Sequence, residues 1–394
     1  FFPEGERYYF STSFRQGDVD ADRRELLMMT GSHHMHVFWY DSGEQRAPAM
    51  LPIMYYKDEQ RWLPKGSTFL RPPGTRDGQD IGTWNVMCSN CHATQPRQRF
   101  DRETNEWDTH VVEFGISCEA CHGGGAEHAR QQSELAESLE VASNQPATDG
   151  ALTSVRKEEI VNPSAVADRV ASDICGRCHS VLAPNLATFD ADSFSQNGDP
   201  HRPGQPLSEH PFLQVVRPTQ QHADLPGSGS SSQHDMGSMF WTDGMIRLVG
   251  REYNGLIETP CYQHGTMTCL SCHTMHPDEG QSLETWKNDQ LKPKMRGDQA
   301  CLQCHEEYSE KIVEHTHHAA DSSGSRCQNC HMPNTTYGLL GTTRSHQISS
   351  PKVTASMANG ERPNACALCH LDRTEKWISD SLHQWYDQPI VELD

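Results

Sequence analysis

The stretch Cys269-Leu270-Ser271-Cys272-His273 decides the fold of this 394-residue chain, because its pattern C-x-x-C-H is repeated along the sequence. Seven copies are present, at residues 88–92, 118–122, 175–179, 269–273, 301–305, 327–331 and 366–370. The frequencies of Cys and His in the chain predict only about 0.03 copies by chance. The repetition therefore reflects one chemical requirement that is met seven times.

That requirement is the covalent attachment of haem. Two thiols three residues apart reach the two vinyl groups of one porphyrin, and the following residue presents its imidazole to the iron. Structural zinc or a redox disulfide would explain the cysteine pairs, but neither needs a His directly after every pair. The sequence predicts seven haem c groups. The attachment residues would be Cys88, Cys91, Cys118, Cys121, Cys175, Cys178, Cys269, Cys272, Cys301, Cys304, Cys327, Cys330, Cys366 and Cys369. The iron ligands within the motifs would be His92, His122, His179, His273, His305, His331 and His370.

The composition gives little material for an ordinary core. Only 35% of the residues are apolar, and the mean hydropathy is -0.73. Seven porphyrins would fill the interior instead. We expect a mainly α fold with much irregular loop, organised around stacked haems, with a few short β-hairpins. Helices are predicted at 126–139, 303–315 and 372–385 from apolar residues at near-helical spacing, and a hairpin or bent strand pair is predicted at 240–257.

The motifs are unevenly distributed and suggest four regions. Residues 1–87 lack a motif and would supply distal histidines to the iron atoms. Residues 88–180 form a three-haem region, 181–260 a haem-free insertion rich in loops, and 261–394 a four-haem region that ends in a helix. Linkers are expected at 142–152 and 227–232, where Pro, Gly and Ser are frequent.

The second axial ligand of each iron decides between an electron carrier and a reactive centre. Sixteen histidines lie outside the motifs, so His could ligate both faces of every haem. The candidates lie close to motifs or in clusters: His33, His34, His128, His276, His315, His318 and His346. Met is the other possible ligand. The remaining cysteine, Cys261, is a buried free thiol, half of an intermolecular disulfide or a ligand, and we favour the first.

Several of these segments resemble the multihaem cytochromes of the nitrite reductase, hydroxylamine oxidoreductase and cytochrome c-554 superfamily. The resemblance is carried by Thr30–His34, Glu119–His128, Cys269–His276, His315–His318, Cys330–Pro333, Ser345-His346 and Pro363–Cys366. It implies a helical, loop-rich fold with haems in alternating parallel and perpendicular stacked pairs. Carried over by position, the seven histidines given above would be the distal ligands. The chain departs from the family in having no C-x-x-C-K motif, which the pentahaem nitrite reductases use at their catalytic haem.

Haem attachment takes place outside the cytoplasm, so we expect a periplasmic or extracellular protein. The sequence starts at Phe1 and not at Met, and it has no apolar run of about 18 residues. These features predict an exported chain from which a signal peptide has been removed, with no membrane span. The formal charge of -20 argues against nucleic acid as a partner and favours basic redox proteins.

The sequence leaves three functions open. The first is electron transfer, by a shuttle or by a subunit of an extracellular cytochrome filament (a nanowire) in which copies of the chain polymerise. The second is reduction of nitrite, hydroxylamine or a sulfur oxyanion at one five-coordinate haem. The third is a haem-bearing subunit of a membrane respiratory complex. We favour electron transfer, since no catalytic motif of the superfamily is intact and no catalytic residue is assigned.

Overall fold

The N-terminal region forms a six-stranded antiparallel sheet in which every strand pairs with the next strand along the chain. The computed structural model describes residues 1–11, 23–31, 34–68, 83–143, 160–217, 239–241, 243–353 and 362–391. The strands are β1 (Phe2–Glu4), β2 (Arg7–Ser11), β3 (Arg23–Thr30), β4 (Met35–Asp41), β5 (Pro48–Tyr56) and β6 (Arg61–Pro64). Aromatic residues and Val or Ile are frequent in these strands, which suits a pleated, half-buried surface.

The expectation of a mainly α chain is wrong. The protein is 33% helix and 20% strand, and its largest regular element is this sheet and not a hairpin. The prediction extended the pattern of the haem motifs to 87 residues that contain none. β3 ends at Thr30, Gly31 follows it, and β4 begins at Met35. Gly31 has a φ of 90° there, and a Cβ atom would collide with the Met35 carbonyl oxygen.

Beyond the sheet, short helices carry most of the motifs. The α-helices are Lys65–Thr68, Ser89–His92, Cys118–His122, Ala126–Ser143, Asp168–His179, Ala191–Asn197, Glu252–Leu256, Pro260–Gln263, Leu283–Asn288, Gln299–Leu302, Ile312–Thr316, Cys327–His331 and Glu375–Tyr386. A π-helix spans Trp84–Cys88, and 3-10 helices span Leu207–Glu209, Cys269–Ser271, Glu306–Tyr308 and Ser323–Ser325. Two-stranded sheets pair Ala93–Thr94 with Glu113–Phe114, Phe100–Asp101 with Glu106–Trp107, Leu182–Pro184 with Leu213–Val215, and Thr336–Gly338 with Gly341–Thr343.

The predicted helices correspond to the structure in two of three cases. The helices Ala126–Ser143 and Glu375–Tyr386 lie where they were expected. The interval 303–315 is divided between a 3-10 helix and a separate α-helix. Among the described residues of 240–257, an antiparallel bridge joins Phe240 to Ile246, and the helix Glu252–Leu256 follows it. The two expected linkers fall largely or wholly outside the described residues.

The apolar core is divided into small clusters that end at the motifs. Trp39, Trp84 and Ala93 pack together against Cys88. A cluster around Tyr253 packs against Cys269, and one around Ile378 packs against Cys366. Because these apolar clusters end at thiols of the motifs, they border the space in which porphyrin rings would lie.

Candidate haem-binding sites

The motifs are wound into turns of helix. The N–H of His273 donates to the carbonyl of Cys269 at 3.0 Å, and His305 and His370 repeat this bond to Cys301 and Cys366 at 3.0 and 2.9 Å. Residues three apart in such a turn share one face. Both thiols therefore face one side, as attachment to a single porphyrin requires.

Local sequence explains how the third motif is built. The helix Asp168–His179 has an acidic residue in its first turn and Arg177 and His179 in its last, an order that suits the helix dipole. Its buried residues include Ala171 and Ile174, three apart on one face. The motif thus occupies the C-terminal end of a helix that is anchored by apolar packing.

Four motif imidazoles each face one other imidazole. The ring centroids are 6.0 Å apart for His122 and His276, 6.3 Å for His273 and His346, 6.1 Å for His331 and His315, and 6.0 Å for His370 and His318. The second member of every pair is a predicted distal ligand. Which motif each of them would face could not be predicted from local spacing.

These separations fit one metal ion between two imidazoles. A metal–nitrogen bond of about 2.0 Å plus roughly 1.1 Å from the nitrogen to the ring centre gives about 6.2 Å for two coaxial rings. The four pairs lie within 0.2 Å of that value. The residues therefore fit haem iron with His on both faces.

The other ring nitrogen of several histidines is already occupied. Nδ1–H of His122 donates to the Val161 carbonyl at 2.6 Å, and that of His331 donates to Ser349 at 3.0 Å. On the opposite side, Nδ1–H of His318 and of His346 donates to a carbonyl two residues earlier in the chain. A carbonyl can only accept, so the lone pair of each ring is on Nε2, which is the atom left for a metal.

Burial favours the protonation states that haem binding needs. Desolvation lowers the pKa of His92, His273, His331 and His346, and so favours the neutral imidazole that ligates metals. Burial also raises the pKa of the Cys88 and Cys366 thiols to about 11. These thiols face apolar surroundings of the kind that a porphyrin edge would share.

The other predicted ligands are not placed in such pairs. His34 is exposed, with Nδ1 4.0 Å from the Asp58 carboxylate. His128 lies half-buried on the helix Ala126–Ser143, and His33 lies outside the described residues. Within the described residues, no second imidazole stands at the pair spacing from His92, His179 or His305.

The motifs lie close to one another in the fold and form a series of neighbours. Sγ of Cys91, in the first motif, lies 3.9 Å from the carbonyl oxygen of Cys178 in the third. The N–H of Cys269, in the fourth motif, donates at 3.3 Å to Ser172 on the helix that carries the third motif. Asp298 accepts from the N–H of Cys301 on its carbonyl and from the N–H of Cys327 on its carboxylate, both at 2.9 Å, and so joins the fifth motif to the sixth.

Two charged groups that sequence analysis missed support the third motif. The Glu252 carboxylate accepts from Nδ1–H of His179 at 3.1 Å. Arg177, inside the motif, forms a buried ion pair with Asp199, whose other oxygen lies 3.0 Å from Nε2 of the fully buried His210. These residues are 20 to more than 70 positions away from the motif in sequence, so no local pattern could have identified them.

Cys261 is half-buried in the helix Pro260–Gln263 and has a free thiol. No helix among the described residues is long and apolar enough to cross a membrane.

Comparisons with known proteins agree with the motifs. The family model "Cytochrome c554 and c-prime" matches residues 72–123, which include the first two motifs. The crystal structure of the outer cell wall cytochrome OcwA has a similar fold, with a TM-score of 0.53 at 17% sequence identity, over 90% of this chain and 73% of that chain. A search of curated proteins found no match.

Proposed function

We propose that this chain is a multihaem c-type cytochrome that binds seven haem c groups and conducts electrons along them. Its seven motifs, the family match over residues 72–123 and the fold similar to that of OcwA support this proposal. At the level of the superfamily, the resemblance inferred from sequence is confirmed. The count of seven, the ligand set and the setting outside the cytoplasm are parts of the proposal.

The observation that carries the proposal is the connected series of motifs. Bound haem iron gains and loses single electrons, and the chain's contribution is to hold neighbouring groups close together. Hydrogen-bond contacts join the first motif to the third, the third to the fourth and the fifth to the sixth. An arrangement of this kind favours passage through the protein over storage at isolated sites.

The proposed ligands follow from the imidazole pairs. His122 with His276, His273 with His346, His331 with His315 and His370 with His318 would each hold one iron on both faces. His33, His34 and His128 remain proposals for the haems of His92, His179 and His305. Two neutral imidazoles make an iron low-spin and leave no position for a substrate.

The alternative function, reduction of nitrite, hydroxylamine or a sulfur oxyanion, needs one iron with an open position. One observation favours this alternative. Within the described residues, no imidazole lies at the pair spacing from His92, His179 or His305. For the conduit, partners would be redox proteins and, in a filament, further copies of this chain. The negative charge of the chain favours basic redox partners.

One preparation tests these functions. The protein, matured with haem in a bacterial periplasm, should have a mass increased by seven haems and a ferric EPR spectrum of low-spin iron. A high-spin signal that shifts when nitrite or hydroxylamine is added would favour the reductase. Light scattering and electron microscopy would separate a monomeric shuttle from a filament.

A matched variant tests conduction itself. Removing the fourth haem with Cys269→Ala and Cys272→Ala interrupts the series, whereas Cys118→Ala and Cys121→Ala removes a haem beside it. Electron transfer from a donor at one end to an acceptor at the other should slow in the first variant much more than in the second. Equal rates in the two variants would contradict a single series.

A further inference from the structure

The third motif differs from other motifs in the partner of its imidazole. Nδ1–H of His122 and of His331 donates to a peptide carbonyl. His179 donates instead to the Glu252 carboxylate at 3.1 Å. Its partner therefore carries a full negative charge, while the partners of His122 and His331 are neutral. The Glu307 carboxylate lies farther from its motif imidazole, 3.9 Å from Nδ1 of His305, and both of these side chains are exposed.

Glu252 is held in place for this contact. Its Oε1 accepts from the backbone N–H of Gly250 at 2.7 Å, which leaves Oε2 for His179. The carboxylate side chain is 26% exposed, so solvent screens it only in part.

Hydrogen bonds from successive residues attach the segment that carries Glu252 to the third motif and its helix. Arg251 donates to the Cys178 carbonyl at 3.0 Å, and Tyr253 donates its hydroxyl to Asp173 of the motif helix. Asn254 Oδ1 accepts from the N–H of Val181 at 2.7 Å. Four consecutive side chains, 251 to 254, thus fix the carboxylate against this one imidazole.

Arg251 brings an opposing charge to the same place. Its guanidinium acts on His179 only through space, because its hydrogen bonds go to the Cys178 and Gly250 carbonyls. Of the two opposite charges, only that of Glu252 is hydrogen-bonded to the His179 imidazole.

A carboxylate partner gives an imidazole partial imidazolate character and makes it a stronger donor to a metal. A stronger donor stabilises ferric over ferrous iron and so lowers the reduction potential. We propose that Glu252 is a positioning residue that gives the haem at Cys175 and Cys178 the most negative potential in the chain. The inference rests on the proposed binding of seven haems.

The location of this haem gives the difference a role. The third motif adjoins the first and the fourth, since Sγ of Cys91 lies 3.9 Å from the Cys178 carbonyl oxygen and the N–H of Cys269 donates to Ser172 at 3.3 Å. An electron that passes from the first motif to the fourth by these contacts crosses the third. Because its potential would be the most negative, this haem would be reduced least at equilibrium. Electrons would pass through it and accumulate on the haems on either side.

The test is a potentiometric titration of the haem-loaded wild type and of Glu252→Gln, which keeps the shape and removes the charge. We expect the most negative of the seven transitions to become more positive by about 59 mV, which for one electron is a tenfold change in the ferric-to-ferrous equilibrium constant. A smaller shift is expected for the fourth haem, because Glu252 also interacts with His273 and His346. Glu258→Gln, whose carboxylate pairs with Arg217 at 2.9 Å, should leave all seven transitions in place.

If Glu252→Gln contains seven haems by mass and its most negative transition does not move, the inference about Glu252 is overturned while the proposed function stands. Fewer than seven haems in the wild type overturns the proposed function instead. If the Gln variant does not take up haem, Glu252→Asp serves as the second probe. Its shorter side chain weakens the bond to His179, so the same transition should rise by less, and an unmoved transition there also contradicts the inference.

Discussion

The imidazoles of His315 and His331 face each other with their centroids 6.1 Å apart and their planes within 6° of parallel. Tyr308 packs on His315 at a centroid distance of 4.4 Å, and the hydroxyl of Tyr386 donates to the His315 carbonyl at 2.5 Å. The orientation of this ring is therefore fixed by its neighbours before any metal binds.

His315→Ala should leave one iron without its second imidazole. We expect one of seven haems to become high-spin, with a new ferric EPR signal near low field, while haem content is unchanged. His317→Ala is the matched control, because His317 stacks on Trp385 at 4.4 Å and faces no motif imidazole. A high-spin signal in both variants, or in neither, would contradict the pairing of His315 with His331.

The buried ion pair at the third motif predicts a pH-dependent stability. Burial by itself would raise the pKa of Asp199, but His210 and Arg177 outweigh it and lower the pKa from 3.8 to about 2. A carboxyl with a depressed native pKa stabilises the fold above its unfolded pKa, and this is lost as the pH falls towards 2. At neutral pH this lowered pKa contributes about 2 kcal/mol to the free energy of unfolding.

Asp199→Asn should therefore lower the free energy of unfolding by about 2 kcal/mol at pH 7, with a smaller difference from the wild type near pH 3. Urea unfolding followed by circular dichroism at several pH values measures this. Asp192→Asn is the control, because Asp192 pairs with Arg102 where both side chains are 75% exposed, and such pairs contribute little. A deficit for Asp199→Asn that is constant with pH would show that the carboxylate charge is not the cause.

The motifs and four distal ligand candidates could be read from the sequence, because covalent haem attachment leaves a local pattern. Which motif each of His276, His315, His318 and His346 faces depends on contacts up to 154 residues apart, such as His276 with His122. Local spacing contains no such information. The same limit hid Glu252, whose role is visible only when its segment packs on the motif helix.

The sheet was missed for a different reason. Strands β4 and β5 contain the aromatic and branched residues that favour strands, yet residues 1–87 were expected only to supply distal histidines. Trp39, in β4, is 1% exposed and meets Trp84 at 5.6 Å, shortly before the first motif. The sheet thus packs directly beside the first motif.

Trp39→Ala tests whether this packing stabilises the protein and the first haem site. Removing a fully buried Trp costs about 3–5 kcal/mol, and we expect the loss to be accompanied by a changed spectrum of the first haem. Trp62→Ala, on β6 with 42% exposure, should cost much less and leave the spectrum unchanged. Thermal unfolding and visible absorption of the two variants provide the comparison, and equal destabilisation would argue against a structural link between sheet and motif.

Gly176, between the two cysteines of the third motif, should not tolerate a side chain. In the middle of a helix, Ala would normally be more stable than Gly by about 1 kcal/mol. Here a Cβ atom would lie 2.8 Å from the ring of Tyr253, and crowding of this kind costs about 1–3 kcal/mol. Displacement of the ring would also disturb the Tyr253 hydroxyl bond to Asp173 and the adjoining Glu252.

Gly176→Ala is therefore expected to destabilise the protein in urea unfolding, whereas Gly124→Ala, with no atom within 4 Å of its Cβ, should be neutral or slightly stabilising. Combining Gly176→Ala with Tyr253→Leu removes the opposing ring, so the double variant should be more stable than the sum of the single changes predicts. Additive effects would mean that the two residues do not meet. A stabilised Gly176→Ala would show that the helix and the segment carrying Glu252 are not in contact.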